Sequence, residues 1–470
     1  MRKAVQSLVL LVLIPFLCFA QGGTEAAQPG ISVRNSDISR TLAELNTLYQ
    51  YLKVNALYEL DSDMLEDNLT RALVSSIDDP FAEYVTSDHS AELDEMLSGT
   101  YVGIGVYITK YDPLFIDWDD ETTYMVQITS PFPGGPAERA GLRARDLISS
   151  INGELIYQLT AEECSQRLRG EEGVPITLTV HRGDSIFELD VTPELVTTPS
   201  VVSAMIDGTD YGYMMIPEFS ESTYTLVSSA LRDLSAKGMQ ALIIDLRNNS
   251  GGTVDTACLV ANFFLDEGDT IISIEYKEGS GRNNTRILAS DQTRKYHIPV
   301  VVLVNGGTAS ASEILSAALQ DNDSALIIGQ QTFGKGVMQD VIPWNDGFIR
   351  YTSSHYLTPD GDNIHEVGIS PDIIVEEPQL DDAQLEEYYR FVSEKSQLVQ
   401  DWVDAHPEYS SGNIEAFAAQ YGDKVSFDPL YLKILVRNAY INGMGWEDRP
   451  VVDRTYDLYL TRAIDYLDSL

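Results

Sequence analysis

The stretch between Val300 and Gln339 constrains the fold of this chain more than any other. It opens with an apolar run, Val300 to Val304, that ends in the tripeptide Asn305-Gly306-Gly307. Such a run is typical of a buried strand, and an Asn-Gly pair is typical of a tight turn. After Ser310, apolar residues recur at helical spacing, at Ile314, Leu315, Ala318 and Leu319. The stretch therefore predicts a strand, a turn and a helix that begins at Ser310.

Ser310 and Lys335 are candidates for a nucleophile and its base. A serine at a helix N-terminus has its hydroxyl beside free N–H groups, where a developing oxyanion is stabilised. Lys335 lies between Gly334 and Gly336, and a lysine whose pKa is lowered by burial can accept the serine proton. Gln339 follows at an offset that shares one face of a helix or a strand with Lys335, so its amide can orient the lysine.

Each of these residues also fits a purely structural role. Ser310 and Glu313 match a capping box, in which the serine only caps the helix. A lysine between two glycines is common in solvated turns. His355 and His365 follow soon afterwards, so a histidine base is an open alternative to Lys335.

Taken together, the motifs from Asn305 to Glu313 and from Thr332 to Gln339 resemble the catalytic core of the C-terminal processing peptidases, or tail-specific proteases. The resemblance extends over roughly residues 40–378. It implies a mixed α/β core of the crotonase and Clp-protease type. It also implies that Ser310 is the nucleophile, Lys335 the general base and Gln339 the amide that orients the lysine.

An upstream glycine motif completes this resemblance. The segment Ala241 to Asp245 predicts a second buried strand, and Leu246 to Gly252 follows it with paired glycines that leave backbone N–H groups uncovered. By resemblance, the N–H of Gly252 forms one half of an oxyanion hole. The N–H of Ala311 forms the other half.

A second, β-rich domain is predicted between Gly99 and Pro193. The segment Val102 to Val106 offers glycine-exposed N–H groups at the start of a strand, a geometry suited to binding a peptide carboxylate. With the later motifs 136–142 and 146–153, it resembles a PDZ domain of the bacterial protease type. The resemblance implies that Ile104, Gly105 and Val106, which we call the carboxylate loop, bind a substrate C-terminus. The alternative is that these glycines only form a hairpin.

The N-terminus predicts export. Arg2 and Lys3 precede an apolar run from Leu8 to Phe19 that is short for a membrane span. We interpret residues 1–20 as a signal peptide cleaved after Ala20, which predicts a periplasmic or extracellular protein. A lipid anchor at Cys18 and an uncleaved membrane anchor are the alternatives.

Five segments follow from these patterns. They are the signal peptide (1–20), an N-terminal helical region (21–98), the PDZ domain (99–193), the peptidase core (194–378) and a C-terminal helical region (379–470). The last segment is acidic and aromatic-rich, which predicts a helical cap on the core or, alternatively, a self-association surface. The fold class is thus α/β and multidomain, with a homo-oligomer through the helical termini as one outcome.

Composition excludes some partners. The formal net charge of −41 at pH 7 would repel nucleic acid. The histidines show no metal-ligand spacing, and Cys164 and Cys258 have no CxxC partner, so we expect neither a metal nor a cofactor. Buried free thiols are expected, with a single disulfide as the alternative.

We therefore predict an exported serine endopeptidase that cleaves proteins or peptides with free C-termini. Two alternatives remain at the level of the sequence. One is a catalytically silent binding protein with a PDZ domain, and the other is an esterase or amidase that uses the same nucleophile. The presence of Ser310, Lys335 and Gln339 disfavours the first, and the peptide-binding module disfavours the second.

Overall fold

The computed structural model describes residues 36–86, 95, 97–110, 118, 120–183, 185–290, 295–345, 347–444 and 449–470. The predicted signal peptide, its cleavage site and Cys18 lie outside the described residues. None of the helices in the described part of the chain is long and apolar enough to cross a bilayer.

The described part of the N-terminal region includes two helices and a short strand, with further helical residues at 95 and 97–98. The two helices and the strand are α1 (Ser36–Asn55), α2 (Ser62–Val74) and β1 (Glu83–Val85). The helical periodicity of this region is confirmed, but most of its apolar residues remain exposed in the described chain. The exposed set includes Ile38, Leu42, Leu45, Leu48, Met64, Leu69 and Leu73.

The PDZ region is a separate β-rich unit with its own hydrophobic core. Its strands are β2 (Thr100–Gly103), β3 (Val106–Thr109), β4 (Val126–Pro131), β5 (Leu147–Ile151), β6 (Glu154–Leu155), β7 (Ile176–Arg182), β8 (Ser185–Val191) and β9 (Glu194–Thr197). Two helices, α3 (Pro136–Ala140) and α4 (Ala161–Arg169), accompany them. The main sheet has the order β3-β4-β5-β7-β8, with β6 beside β5. β2 and β9, the first and last strands of this region, pair with each other antiparallel. The chain therefore enters and leaves the region at neighbouring positions.

The peptidase core is built on a six-stranded sheet. Its strands are β10 (Val202–Met205), β11 (Tyr211–Met215), β12 (Ala241–Asp245), β15 (Val300–Val304), β16 (Leu326–Gly329) and β19 (Ile373–Ile374), in that order. The pairs from β11 to β19 are parallel, and β10 is antiparallel. The predicted strands Ala241–Asp245 and Val300–Val304 are both confirmed. Their residues are buried, as expected for parallel strands covered on both faces.

Three helices lie on one face of this sheet: α5 (Thr223–Ala236), α6 (Val254–Ala261) and α7 (Ala311–Asp321). A second sheet lies beside them and contains β13 (Thr270–Tyr276), β14 (Thr285–Leu288), β17 (Val337–Trp344) and β18 (Gly347–Leu357). β1 extends this second sheet through antiparallel pairing with β18. The N-terminal region is thereby joined to the core by a strand.

The C-terminal region divides into two packing units. The helices α8 (Asp382–Ala405), α9 (Ser411–Tyr421) and α10 (Pro429–Gly443) share one aromatic-rich cluster. The last helix, α11 (Leu458–Leu467), packs instead on the face of the core sheet opposite α7. Arg247 links this helix to the core, because it forms ion pairs with both Asp245 and Asp457.

Candidate active site

Three loops meet at one edge of the core sheet. They follow β12, β15 and β16, which are adjacent and parallel, so their carboxyl ends lie together. The N–H of Ala309 donates to the carbonyl of Asn249 over 2.9 Å, and the N–H of Phe333 donates to the carbonyl of Thr308 over 2.9 Å. The topology therefore brings the loops of Gly252, Ser310 and Lys335 to one place.

Ser310 occupies the predicted position, immediately before the first residue of α7. Its side chain is buried, and its backbone has φ 56 and ψ −114. A non-glycine residue in such a conformation carries about 1–3 kcal/mol of strain, which persists only where neighbouring contacts hold it. One such contact is the N–H of Ser310, which donates to Oε2 of Glu313 over 2.7 Å.

Glu313 joins the nucleophile loop to the lysine loop. Its carboxylate is fully buried, and Oε2 also accepts the N–H of Lys335 at 2.8 Å. Oε1 accepts the hydroxyl of Thr332 at 2.5 Å and the N–H of Gly334 at 2.7 Å. In the sequence, Glu313 is recognisable only as the partner in a capping box, because nothing in the local pattern signals its contacts with the later loop.

Lys335 is buried, with 6% of its surface exposed. Desolvation, together with the nearby positive charge of Arg350, lowers its pKa to about 8, against the opposing effect of the carboxylates of Asp79 and Glu313. The lysine is therefore not a solvated turn residue. Its Nζ lies 4.5 Å from the ring centre of Phe81.

Phe81 reaches the lysine from the N-terminal region. The turn that contains it is held by β18: Asp79 accepts the N–H of Thr352 at 2.8 Å and its hydroxyl at 3.1 Å. Arg350 Nε donates to the carbonyl of Phe81 over 3.2 Å. Nothing in the local sequence marks Phe81 as part of the site. The proline before Phe81 signals the turn, but no local signal places it beside Lys335.

Gln339 is buried on β17, and its amide nitrogen lies 3.4 Å from Oγ1 of Thr352, to which it donates. Among the described residues, no hydrogen bond joins Gln339 to Lys335 Nζ, and none joins Lys335 Nζ to Ser310 Oγ. The structure thus brings Ser310 and Lys335 into one network through Glu313. The orienting role of Gln339 stays a prediction.

The glycine pair Gly251-Gly252, which contains a predicted oxyanion-hole residue, lies close to Ser310 and Ala311 through Gly251. A Cβ placed on Gly251 would lie 3.0 Å from Ser310 Cβ and 3.1 Å from the Ala311 nitrogen. At Gly252, a Cβ would lie 2.0 Å from the carbonyl oxygen of Phe219, so the close approach requires glycine. Within the described residues, neither the N–H of Gly252 nor that of Ala311 donates a hydrogen bond. Their role in an oxyanion hole stays a prediction.

The carboxylate loop lies in the PDZ region. Ile104 is buried, Gly105 has φ 69, and Val106 begins β3. A small cavity beside the loop is lined in part by Tyr101 and Arg169. Arg169 is ion-paired with Glu95 and lies over the ring of Tyr101, so its charge beside the loop is already partly neutralised.

The two histidines near the lysine form a pair of their own. The ring centroids of His355 and His365 are 5.8 Å apart. A Cβ on Gly336 would lie 2.6 Å from the backbone nitrogen of His365, so the lysine loop passes close to the backbone of that residue. No hydrogen bond between described residues connects either ring to Ser310. Among the described residues, Lys335 is linked to Ser310 through Glu313, and no such link is seen for these histidines.

The remaining sequence features concern metals and thiols. In the part of the chain that the structure describes, no group of three or more His, Cys, Asp or Glu side chains could hold a metal ion. Cys164 and Cys258 are buried and unpaired, and they belong to the PDZ core and the peptidase core respectively.

Comparisons with known proteins agree on one family. The family model for peptidase family S41 matches residues 210–375, and a PDZ-domain model matches residues 127–182. The carboxy-terminal processing protease CtpA of Bacillus subtilis is 32% identical over 407 residues, which is 86% of this chain and 79% of that protein. A probable CtpA-like serine protease of Staphylococcus aureus (strain N315) is 33% identical over 358 residues, with coverage of 74% and 68%. Among solved structures, the photosystem II D1 C-terminal processing protease is 28% identical, with a TM-score of 0.41, and the match covers 72% of this chain and 87% of that one.

Proposed function

This chain belongs to peptidase family S41, and from that premise we propose that it is an exported serine endopeptidase that cleaves proteins near their C-termini with Ser310 and Lys335 as a catalytic dyad. A serine-type peptidase with a PDZ domain follows from the family itself. The dyad, the export and the capture of substrate by the PDZ domain are the proposed parts.

The observation that carries the dyad is the shared carboxylate of Glu313. Its Oε2 accepts the N–H of Ser310 at 2.7 Å and the N–H of Lys335 at 2.8 Å. Two residues far apart in sequence are thereby fixed to one atom. The burial of Lys335 and its pKa of about 8 support its use as a base near neutral pH.

The proposed mechanism has two stages. Neutral Lys335 accepts the proton of Ser310 Oγ as that oxygen attacks the scissile carbonyl, and the N–H groups of Gly252 and Ala311 bind the oxyanion. The lysine then protonates the leaving amine, and an acyl-enzyme remains. In the second stage, Lys335 accepts a proton from water as the water attacks the ester. The lysine then donates that proton to Ser310 Oγ as the ester bond breaks and the new C-terminus leaves.

The PDZ region is proposed to select the substrate. A free C-terminal carboxylate would bind the N–H groups of the carboxylate loop by charge-assisted hydrogen bonds, and the following residues would add a strand. The burial of Ile104 and the positive φ of Gly105, which hold the loop in place, support this proposal. We also propose a periplasmic or extracellular location, on the basis of the signal-like N-terminus.

Self-association is a further part of the proposal. The exposed apolar residues of α1 and α2 support an interface through the N-terminal helices, because such surfaces commonly mark association sites. Light scattering during size-exclusion chromatography would measure the oligomeric state directly. A strictly monomeric protein at micromolar concentration would contradict this part alone.

The proposed activity is tested by mass spectrometry of a model protein with an unstructured C-terminal tail. The wild type should release C-terminal fragments, and Ser310→Ala and Lys335→Ala should each reduce cleavage by several orders of magnitude, because the two residues act as a unit. Ser312→Ala is the matched control, since the Ser312 hydroxyl is buried and donates to the carbonyl of Asn249 over 3.1 Å. It should keep most of the activity.

Two outcomes would contradict the dyad. The first is full activity in Ser310→Ala, and the second is loss of activity only in Ser312→Ala. A folded His355→Ala or His365→Ala variant that is inactive, together with an active Lys335→Ala, would instead establish a histidine base.

A further inference from the structure

The hydroxyl of Tyr356 connects the two residues of the proposed dyad on their carbonyl side. Tyr356 lies at the end of β18, its side chain is 2% exposed, and its own N–H donates to the carbonyl of Gly336 over 3.1 Å. The hydroxyl hydrogen-bonds the carbonyl oxygen of Lys335, and it lies 3.2 Å from the carbonyl oxygen of Ser310. One phenol is therefore shared between the carbonyls of the nucleophile and the base.

Glu313 makes the complementary contacts on the N–H side. The same carboxylate oxygen accepts the N–H of Ser310 at 2.7 Å and the N–H of Lys335 at 2.8 Å. Ser310 and Lys335 are consequently each held at both backbone polar groups by the same two side chains. This double attachment can hold the strained backbone of Ser310, which has φ 56.

We propose that Tyr356 is a positioning residue that keeps the backbones of Ser310 and Lys335 aligned for proton transfer. The inference rests on the function proposed above, since it assigns Tyr356 a role only if Ser310 and Lys335 form the dyad. The hydroxyl of Tyr356 contacts the backbone carbonyls of both residues and also interacts with the Ser310 side chain. It stays neutral and takes no proton in the proposed reaction. Its loss should therefore slow the chemical step without removing it.

Two properties of the phenol separate this role from general acid–base catalysis. Complete burial raises the pKa of Tyr356 well above its ordinary value of 10.0, so the hydroxyl remains a neutral donor at any working pH. The charged groups that face Lys335 are Arg350 on β18, Asp79 in the N-terminal turn and Glu313 on α7. Removing the neutral hydroxyl should leave this charge balance, and hence the pKa of Lys335, unchanged.

The alternative is that Tyr356 is only a core residue. Its ring belongs to the hydrophobic cluster that also contains Ile272 and Ile364. Phenylalanine keeps that ring and adds no atom, so Tyr356→Phe should fold. Tyr440→Phe is the matched control, since Tyr440 is 3% exposed and its hydroxyl donates to the carbonyl of His406 over 2.6 Å in the C-terminal helices.

The experiment measures steady-state kinetics per folded molecule, using the tailed protein substrate and a folded fraction from thermal unfolding. Tyr356→Phe should lower kcat about ten- to one-hundred-fold with little change in KM, which is the scale expected for a small misplacement of catalytic groups. The midpoint of its pH–rate profile should match that of the wild type. Tyr440→Phe should lose a comparable amount of thermal stability and keep the wild-type kcat.

Amide hydrogen exchange provides a readout that does not depend on activity. Peptides that cover residues 308–312 and 333–337 should exchange faster in Tyr356→Phe than in the wild type, and at the wild-type rate in Tyr440→Phe. The proposal is overturned if kcat per folded Tyr356→Phe molecule stays within twofold of the wild type, if the pH midpoint moves, or if exchange in both peptides is unchanged. Ser310→Ala is measured in parallel: if it remains active, the dyad itself has failed, whereas an inactive Ser310→Ala with a normal Tyr356→Phe refutes only the role of Tyr356.

Discussion

Replacing Phe81 by leucine should lower the pKa of Lys335 and raise activity at neutral pH. The ring centre of Phe81 lies 4.5 Å from Nζ, and the lysine is only 6% exposed. A desolvated contact between an ammonium and a ring stabilises the charged form by roughly 1–2 kcal/mol. Since one pKa unit corresponds to about 1.4 kcal/mol, losing the ring should lower the pKa by about one unit.

The direction of the effect on rate follows from the role of the lysine. If Lys335 is the proposed base, only its neutral form accepts the serine proton. The kcat/KM should therefore rise with pH through the pKa of Lys335, which lies at about 8. A leucine at this position still excludes water from the lysine but has no aromatic ring to stabilise its charge. At a pH below both midpoints, Phe81→Leu should therefore be up to about tenfold more active than the wild type, with the same plateau at high pH.

The assay is a pH–rate profile of kcat/KM for the wild type, Phe81→Leu and Phe81→Tyr. Tyrosine keeps the aromatic face over the ammonium, so its midpoint should match that of the wild type. If the midpoint of Phe81→Leu equals or exceeds that of the wild type, the ring does not stabilise the charged lysine. A fall of the plateau without any shift would mean that Phe81 acts by packing alone.

Three further predictions concern Glu313, Lys335 and the carboxylate loop. Glu313→Gln places an amide NH₂ against backbone N–H donors, and each unsatisfied buried group costs about 1–3 kcal/mol. The free energy of unfolding in urea titrations should therefore fall by roughly 2–5 kcal/mol. The control Glu163→Gln, in the exposed capping box of α4, should lower it by less than about 1 kcal/mol. Lys335→Met should be inactive yet more stable than the wild type at pH 7 by roughly 3 kcal/mol, because the folded-state pKa of Lys335, about 8, lies below the unfolded-state pKa of ~10.4. The charged lysine therefore destabilises the wild-type fold below pH 8, and this penalty fades as the pH rises from 8 to ~10.4. Equal melting temperatures at pH 7 would contradict this prediction. A peptide substrate with a free apolar C-terminus should show a higher kcat/KM than its amidated form, and equal values would remove the carboxylate loop from substrate selection.

The local signals of the sequence predicted the parts of the site that depend on local chemistry. Apolar runs defined the strands Ala241–Asp245 and Val300–Val304, and both are confirmed at the same bounds. The Asn-Gly-Gly turn and the helical spacing after it placed α7 directly behind Ser310, also as predicted. In each case a few neighbouring residues determine the backbone, so one short window contains the information.

Contacts between distant segments were beyond the same reasoning. Glu313 reads locally as a capping residue, and its second role exists only because β15 and β16 are adjacent. Phe81 reaches Lys335 because β1 pairs with β18, a pairing between the two ends of the described core. Neither pairing can be inferred from the spacing of residues along the chain, because strand order is a property of the whole sheet.

The last helix determines how far the chain can be shortened. Tyr459, Leu460, Ala463, Ile464 and Leu467 of α11 cover the sheet face that carries Val301 and Leu303. A fragment that ends at residue 378 would keep Ser310 and Lys335 and the whole segment matched by the peptidase model. It would nevertheless expose that apolar face to water and leave Arg247 with one of its two carboxylates. A shortened soluble peptidase should therefore need two separate parts of the sequence, the core up to residue 378 and α11. Joining α11 to the core fragment through a short linker should raise the yield of soluble protein, which the fragment alone loses to aggregation.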